Sequence, residues 1–185
     1  RYHWFSEGSP PMPQTLSSSA AAASTERPPG ADAALVLADG SVFWGQGAGA
    51  LGEAVGEICF NTSMTGYQEI LTDPSYAGQI ITFTFPHVGN VGANTEDIET
   101  TTPAVRGCLL REAITAPSNW RATGSLDAWL RSHGLAAVTG IDTRRLTRLI
   151  RDAGAPKGTL INAGDGDIDL DRLAAAADAW PGLEG

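Results

Sequence analysis

The first part of the sequence carries short runs of apolar and β-branched residues, a pattern typical of strands. In "AALVLADGSVFWGQG", residues 33–47, two extended runs flank Asp39-Gly40, a dipeptide that suits a two-residue hairpin turn. We therefore expect a β-hairpin at this point. Further strands are predicted over residues 54–60 ("AVGEICF"), 79–85 ("QIITFTF") and 104–112 ("AVRGCLLRE").

The second part of the sequence combines helical periodicity with residues that start and stop helices. Helices are expected over residues 126–133, 143–153 and 170–180. The first two follow a capping side chain, Ser125 or Asp142, and each is followed by a glycine that favours termination. Strand-like segments at 136–141 and 158–163 separate the helices.

This order of elements indicates the fold class. Strands followed by alternating helices and strands imply an α/β or α+β domain with a mixed sheet. Residues 1–32 are rich in Ser, Ala and Pro, so they cannot offset the entropy of ordering and are expected to form a disordered tail. We assign residues 33–164 to the folded domain and residues 165–185 to a linker and helix.

Composition narrows the possible classes of function. Hydrophobic residues make up 42% of the 185 residues, which is enough for one ordinary core. A formal net charge of −9 argues against nucleic acid as a partner, because such binders need a concentrated basic face. No apolar run approaches the roughly 20 residues of a membrane-spanning helix, so no membrane partner is expected. Two cysteines make no disulfide framework, and we expect a reducing, cytoplasmic setting.

Glycines at residues 47–52, "GAGALG", match the dinucleotide-binding fingerprint letter for letter. That fingerprint works when a helix follows it, so that amides at the helix start face a pyrophosphate. The segment that follows, "EAVGEICF", is patterned like a strand. We interpret the glycines as a connection between strands and expect no nucleotide and no other cofactor in this chain.

The cysteines and histidines do not form a catalytic or metal-binding pattern. Cys59 and Cys108 both lie inside apolar runs without an evident activating base, so structural thiols are expected. The three histidines, His3, His87 and His133, are too scattered for a metal site. The sequence therefore predicts no catalytic residue and no metal ligand.

Two polar segments each allow two interpretations. "FPHVGNVGAN", residues 85–94, places His87 and Asn90 in a loop that is either a binding loop or a conformationally demanding turn. The helix at 143–153 carries four arginines on its polar side, which form either a solvated face or a surface for an acidic partner. These arginines are Arg144, Arg145, Arg148 and Arg151.

The segment "FNTSMTGYQEILTDPSY", residues 60–76, surrounds a short apolar stretch with hydroxyl and amide side chains. Thr65 and Gln68 have the spacing of a capping box, which predicts a short helix over residues 66–71. Asp73-Pro74 then ends the helix and presents Ser75 on a turn. The Ser75 hydroxyl can bind a polar ligand or serve only the turn, and the residue pattern by itself favours the turn.

Two long phrases give the chain a family resemblance. "LVLADGSVFWGQGAGALGEAVGEICFNTSMTGYQEILTDPSYAGQIITFTFPHVGNVGANTED" closely resembles the start of the small, glutamine-hydrolysing subunit of carbamoyl-phosphate synthetase. "GIDTRRLTRLIRDAGAPKGTLI" resembles the later helix and strand of the same amino-terminal domain. The likeness runs from about Ala34 to Ile161. It implies a swivelling β/β/α-type domain with a mixed sheet.

The resemblance also implies a function and its partners. The family makes carbamoyl phosphate from glutamine, bicarbonate and ATP for arginine and pyrimidine synthesis. Its small subunit hydrolyses glutamine in a glutamine amidotransferase domain and passes ammonia to a large subunit that uses ATP. That domain and the large subunit are the implied partners. The serine of "DPSY", here Ser75, belongs to the family's glutamine-binding set.

The catalytic part of the family pattern is absent from these 185 residues. No "GxCxG" nucleophile turn occurs, and neither Cys59 nor Cys108 lies in such a context. We therefore expect this polypeptide alone to have no glutaminase activity, and its role to be supporting the glutaminase domain and docking on the large subunit. The alternatives are a free-standing interaction module with the same fold and, more remotely, a nucleotide binder at residues 47–52.

Overall fold

The structure, a computed structural model, describes residues 25–119 and 122–184. Within these ranges it contains seven strands and four α-helices. The strands are β1 (Ala33–Leu37), β2 (Val42–Gly49), β3 (Gly52–Asn61), β4 (Gln79–Phe83), β5 (Gly107–Leu110), β6 (Ala136–Thr139) and β7 (Lys157–Asn162). The helices are α1 (Tyr67–Thr72), α2 (Leu126–Ser132), α3 (Thr143–Ala153) and α4 (Leu170–Ala179), and a 3-10 turn covers Pro74–Tyr76.

The seven strands close into a barrel in the order β1-β2-β6-β5-β4-β3-β7. Strands β3, β4, β5 and β6 run parallel to their neighbours in that series, whereas every other pairing is antiparallel. The mixed sheet and the α/β class that the sequence predicts are thus confirmed. The swivelling domain type stays a prediction.

Alternate residues of each strand point inward and outward, and both sets are buried along β1, β4, β5, β6 and β7, whereas β2 and β3 are partly exposed. The interior cluster takes residues from all seven strands, including Leu35, Ile80 and Leu160, all fully buried. Outward-pointing residues pack against helices instead. Ile81 and Cys108 meet α1 and α2, and Ala34 and Val36 meet α4. This two-sided burial explains the continuous apolar runs of β1, β4 and β5.

The predicted hairpin is present, but its loop differs from the expectation. Leu37 and Ser41 are joined by a backbone hydrogen bond of 2.9 Å, so three residues rather than two form the loop. Gly40 has a φ of +83°, and no described residue other than glycine has a positive φ. A two-residue turn built on Asp39-Gly40 would need positive φ at both residues. The three-residue loop needs it only at glycine.

The helix boundaries from the sequence hold closely. Ser125 accepts a hydrogen bond from the Ala128 amide at 3.2 Å, and Asp142 accepts one from the Arg145 amide at 2.9 Å, as caps do. Leu146 and Ile150 of α3 join the interior cluster, as the apolar stripe predicts. No helix in the described ranges is long and apolar enough to cross a membrane.

The two terminal segments contact the barrel where the structure describes them. Residues 1–24 of the predicted tail lie outside the described residues. Beyond them, Ala31 is buried, and Asp32 accepts a hydrogen bond from the Gly47 amide at 2.6 Å. At the other end, α4 lies on β1 and β7 and buries Leu173 completely. Residues 170–179 therefore extend the domain's apolar packing.

Candidate functional site

Ser75 lies in the middle of the 3-10 turn that links α1 to β4. Its backbone amide donates to Asp73 Oδ1 at 2.8 Å, and the Tyr76 amide donates to the Asp73 carbonyl at 3.1 Å. The residue is exposed, and its hydroxyl forms no hydrogen bond with the described residues. The turn is thus organised by backbone amides and Asp73, which leaves the Ser75 hydroxyl available to a ligand.

The segments on either side of the turn are held by further hydrogen bonds. Thr72, at the end of α1, accepts from the Glu99 amide at 2.9 Å through its hydroxyl and from the Thr100 hydroxyl at 2.7 Å through its carbonyl. On the other side, the Tyr76 hydroxyl accepts from Asn61 Nδ2 at 3.1 Å. The turn is therefore tied both to the loop after β4 and to the end of β3, which fixes the position of Ser75.

The capping box predicted for Thr65 and Gln68 is wrong. Gly66, with a φ of +78°, is the residue at the start of α1, and no side chain caps the helix. Gln68 instead points into the protein, where its amide exchanges hydrogen bonds with the backbone of Asn94. The helix accordingly covers residues 67–72 rather than 66–71. The Gln68 side chain binds the buried backbone of Asn94 and is therefore not available to cap the helix.

The last described residues pack beside the Ser75 turn. A Cβ placed on Gly78, two residues after the turn, would lie 2.8 Å from Leu183 Cδ2. Lys157, at the start of β7, donates to the carbonyl of Trp180 at 2.7 Å and so holds this segment against the barrel. Residues 180–183 and the Ser75 turn therefore occupy the same end of β4.

The backbone of the loop at residues 85–94 forms hydrogen bonds with a neighbouring segment of the protein. The carbonyls of Val88 and Asn90 accept amide hydrogen bonds from Thr115 and Ser118, each at 3.0 Å. A Cβ at Gly89 would lie 2.7 Å from a methyl carbon of Ile114, so only glycine fits. These contacts favour the interpretation as a demanding turn. His87 is exposed, and its ring meets Phe85 edge-on with 5.8 Å between centroids.

The glycine-rich segment at residues 47–52 is a strand connection, as expected. It ends β2 and begins β3, and no helix follows it. Asn162, at the end of β7, fills the space beside Gly47 and donates to the carbonyls of Ala48 at 3.1 Å and Ala50 at 3.0 Å. The glycine at position 47 therefore makes room for a side chain of the protein itself.

The two thiols are in environments that suppress reactivity. Burial raises the pKa of Cys108, which is fully enclosed, to about 12. Cys59 is half-buried rather than buried, and burial followed by the charge of Glu57 raises its pKa to about 11. Both thiols are protonated near neutral pH, so neither is an activated nucleophile. Across the described residues no group of His, Cys, Asp and Glu is arranged to hold a metal ion.

With this geometry established, comparison with known proteins identifies the family. The family model described as carbamoyl-phosphate synthase small chain, CPSase domain, matches residues 35–160, which is most of the chain. The chain belongs to this small-chain family. The match includes the Ser75 turn and all four arginines of α3, whereas α4 lies outside it.

Several bacterial relatives within the small-chain family are closely similar. The carbamoyl phosphate synthase small chain of Bradyrhizobium diazoefficiens is 62% identical over 157 residues, which are 83% of this chain and 40% of the relative. That of Caulobacter vibrioides is 56% identical over 161 residues, 85% of this chain and 42% of the relative. The chain thus spans about two fifths of the length of these relatives.

The four arginines of α3 do not form one common face, which differs from the expectation from the sequence. Arg145 turns away from the others and lies over the Phe43 ring, with 4.6 Å between its Cζ and the ring centroid. Arg144, Arg148 and Arg151 instead line a groove together with Arg111, which follows β5. The sequence did not indicate a role for Arg111, since only the parallel pairing of β3, β4 and β5 brings the end of β5 to this helix.

Proposed function

We propose that this chain is the supporting domain of a glutamine-dependent carbamoyl-phosphate synthase, which forms carbamoyl phosphate and glutamate from glutamine, bicarbonate and two ATP. In this proposal it contributes Ser75 to the glutamine site, supports the glutamine amidotransferase domain of the same subunit and docks on the large subunit. The setting is cytoplasmic, and the product serves arginine and pyrimidine synthesis. Membership of the small-chain family supports the reaction.

The observation that carries the proposal is the exposed, unbonded hydroxyl of Ser75 on a turn held at both ends. Such a hydroxyl can donate one hydrogen bond and accept others from the polar groups of glutamine. Because the turn is already organised without it, binding requires little further ordering of the backbone. Residues 180–183 lie at the same end of β4, so sequence that follows them in a longer small chain would emerge beside Ser75.

A serine by itself gives negligible affinity, so the other groups of the site must come from the amidotransferase domain. The protonation of the two thiols supports the proposal that the catalytic groups lie in the amidotransferase domain. Cys59 and Cys108 have raised pKa values and are protonated near neutral pH, so they do not supply the nucleophile. We expect these 185 residues alone to release no glutamate from glutamine, which an assay of the purified chain would check.

The decisive experiment is Ser75→Ala in a small chain that carries this domain and is assembled with its large subunit. We expect the KM for glutamine to rise about five- to tenfold, because one hydrogen bond to the substrate is lost. Activity supported by added ammonia should stay unchanged, since ammonia bypasses the glutamine site. Both activities are read from the rate of carbamoyl phosphate formation.

Ser41→Ala is the matched control. Ser41 follows Asp39 by two residues, and its amide donates to Asp39 Oδ1 at 2.8 Å, as Ser75 does with Asp73. The two substitutions therefore remove a hydroxyl from the same kind of turn. A KM for glutamine that stays the same in both variants would contradict the assignment of Ser75.

A further inference from the structure

An arginine groove of about 450 Å³ lies where three neighbouring parallel strands end. Thr62 follows β3, Thr84 follows β4 and Arg111 follows β5, and together they form one side of the groove. Helix α3 forms the other side with Arg144, Arg148 and Arg151 among its lining residues. The crevice outside the carboxyl ends of parallel strands is a common place for ligands in α/β proteins.

The groove concentrates positive charge, and only Arg111 among its four arginines has a carboxylate partner in the described residues. Among the described residues no carboxylate forms an ion pair with Arg144, Arg148 or Arg151. Arg111 approaches only its neighbour Glu112, at 3.7 Å between Nε and Oε1. In a chain with a formal net charge of −9, four arginines around one groove indicate an acidic partner.

The available hydrogen-bond donors favour several carboxylates over one small oxyanion. The hydroxyls of Thr84 and Thr147 already donate to backbone carbonyls, at 3.2 Å and 2.7 Å. Asp142 occupies the amino-terminal end of α3 as its cap, so the helix presents no cradle of free amides. The guanidinium groups remain as donors, together with the hydroxyls of Thr62 and Thr143, and residues 144–151 extend over about 10 Å of helix. Guanidinium groups spread over this length can bind successive acidic side chains, with each carboxylate held by the paired N–H groups of one arginine.

The groove and the Ser75 turn lie at opposite ends of β4. The turn precedes Gln79, the first residue of the strand, whereas Thr84 of the groove follows its last residue, Phe83. Since Leu183 packs at the Ser75 end, the groove faces away from the segment where the described residues finish. The groove is therefore a surface separate from the Ser75 turn.

We propose that the arginine groove docks a segment rich in Asp and Glu on the large subunit of the synthase. This inference rests on the proposed function and specifies the surface that makes the contact. The guanidinium groups supply the hydrogen bonds, and Arg144, Arg148 and Arg151 are available because none of them forms an ion pair with a described residue. Since part of the binding is electrostatic between exposed groups, it weakens as salt rises.

The test measures the affinity of a full small chain for the large subunit, with Arg144→Glu and Arg148→Glu combined. We expect the dissociation constant to rise by about tenfold or more and its salt dependence to diminish. Arg145→Glu is the matched control for Arg144→Glu alone, because it makes the same charge change on the same helix outside the groove. Its effect should be several-fold smaller. If the double glutamate variant does not fold, Arg144→Gln with Arg148→Gln carries the test.

Two outcomes separate this proposal from the proposed function. A wild-type small chain that does not assemble with the large subunit overturns both. A double variant that assembles as tightly as the wild type, at equal salt, overturns only the groove. In a second measurement, an oligoglutamate peptide and inorganic phosphate are titrated into the full small chain. Binding of the peptide that the double variant loses supports the proposal, and binding of phosphate alone contradicts it.

Discussion

Gln68 and Asn94 exchange two hydrogen bonds that join α1 to the loop after β4. Gln68 Nε2 donates to the Asn94 carbonyl at 2.6 Å, and the Asn94 amide donates to Gln68 Oε1 at 3.0 Å. Both residues are buried. Because α1 leads directly into the turn that carries Ser75, this pair connects the position of the candidate site to the packing of the loop.

Removing this pair should destabilise the domain. Gln68→Ala leaves a buried donor and a buried acceptor of Asn94 without partners, and we expect the free energy of unfolding to fall by about 2–4 kcal/mol. Thr65→Ala serves as the control and should change it by less than about 0.5 kcal/mol, because Thr65 forms no cap. Urea unfolding measures both. A larger loss for the Thr65 variant would indicate that the capping box forms after all.

The contact between Gly47 and Asn162 predicts a coupled pair of substitutions. Gly47→Ala places a methyl group against the Asn162 amide and should cost about 1–3 kcal/mol of unfolding free energy. Asn162→Ala should also destabilise, since the carbonyls of Ala48 and Ala50 lose their side-chain donor. The double variant should lose less than the sum, because the clash requires both side chains.

Gly124→Ala provides the control for this pair, since a Cβ at Gly124 meets no atom within 4 Å. It should change the free energy of unfolding by no more than about 0.5 kcal/mol. Additive effects of the Gly47 and Asn162 substitutions, measured by urea unfolding, would show that the two residues are energetically independent.

The ion pair between Glu53 and Arg172 predicts an effect of acid on the packing of α4. Arg172 Nη1 and Nη2 bind the two carboxylate oxygens of Glu53 at 3.0 Å and 2.6 Å. The hydrogen bonds from Arg172, followed by its charge, lower the pKa of Glu53 below its ordinary value of 4.5. Because the pKa is lower in the folded state, the ionised carboxylate stabilises the fold when the pH is above the pKa of the unfolded state. This stabilisation is lost as the pH falls through the pKa of the folded state.

Wild-type stability should therefore decline more steeply than that of Glu53→Gln as the pH falls below about 4.5. The difference is small, because both side chains are substantially exposed and solvent screens the pair. Thermal unfolding of both proteins from about pH 6 to about pH 3 measures it. Parallel curves over this range would show that the ion pair does not contribute to the stability of the folded state.

Local signals in the sequence were sufficient for most elements of the fold. The caps at Ser125 and Asp142 and the apolar stripe of α3 depend on residues within a few positions, so α2 and α3 were predicted nearly to their ends. The incorrect prediction of a capping box has a different origin. Gln68 had the local spacing of a cap, but a backbone group 26 residues away took its amide. Such competition is not visible from spacing.

The sequence by itself determined the α/β class, the mixed sheet and the family, because these depend on local periodicity and on long matching phrases. It also placed Ser75 on a turn after Asp73-Pro74. Only the tertiary structure decided that the sheet closes into a barrel, and that Arg111 joins α3 while Arg145 lies over Phe43. The physical reason is that strand pairing brings together side chains that are far apart in the chain. Which of these side chains come into contact depends on the register of the paired strands.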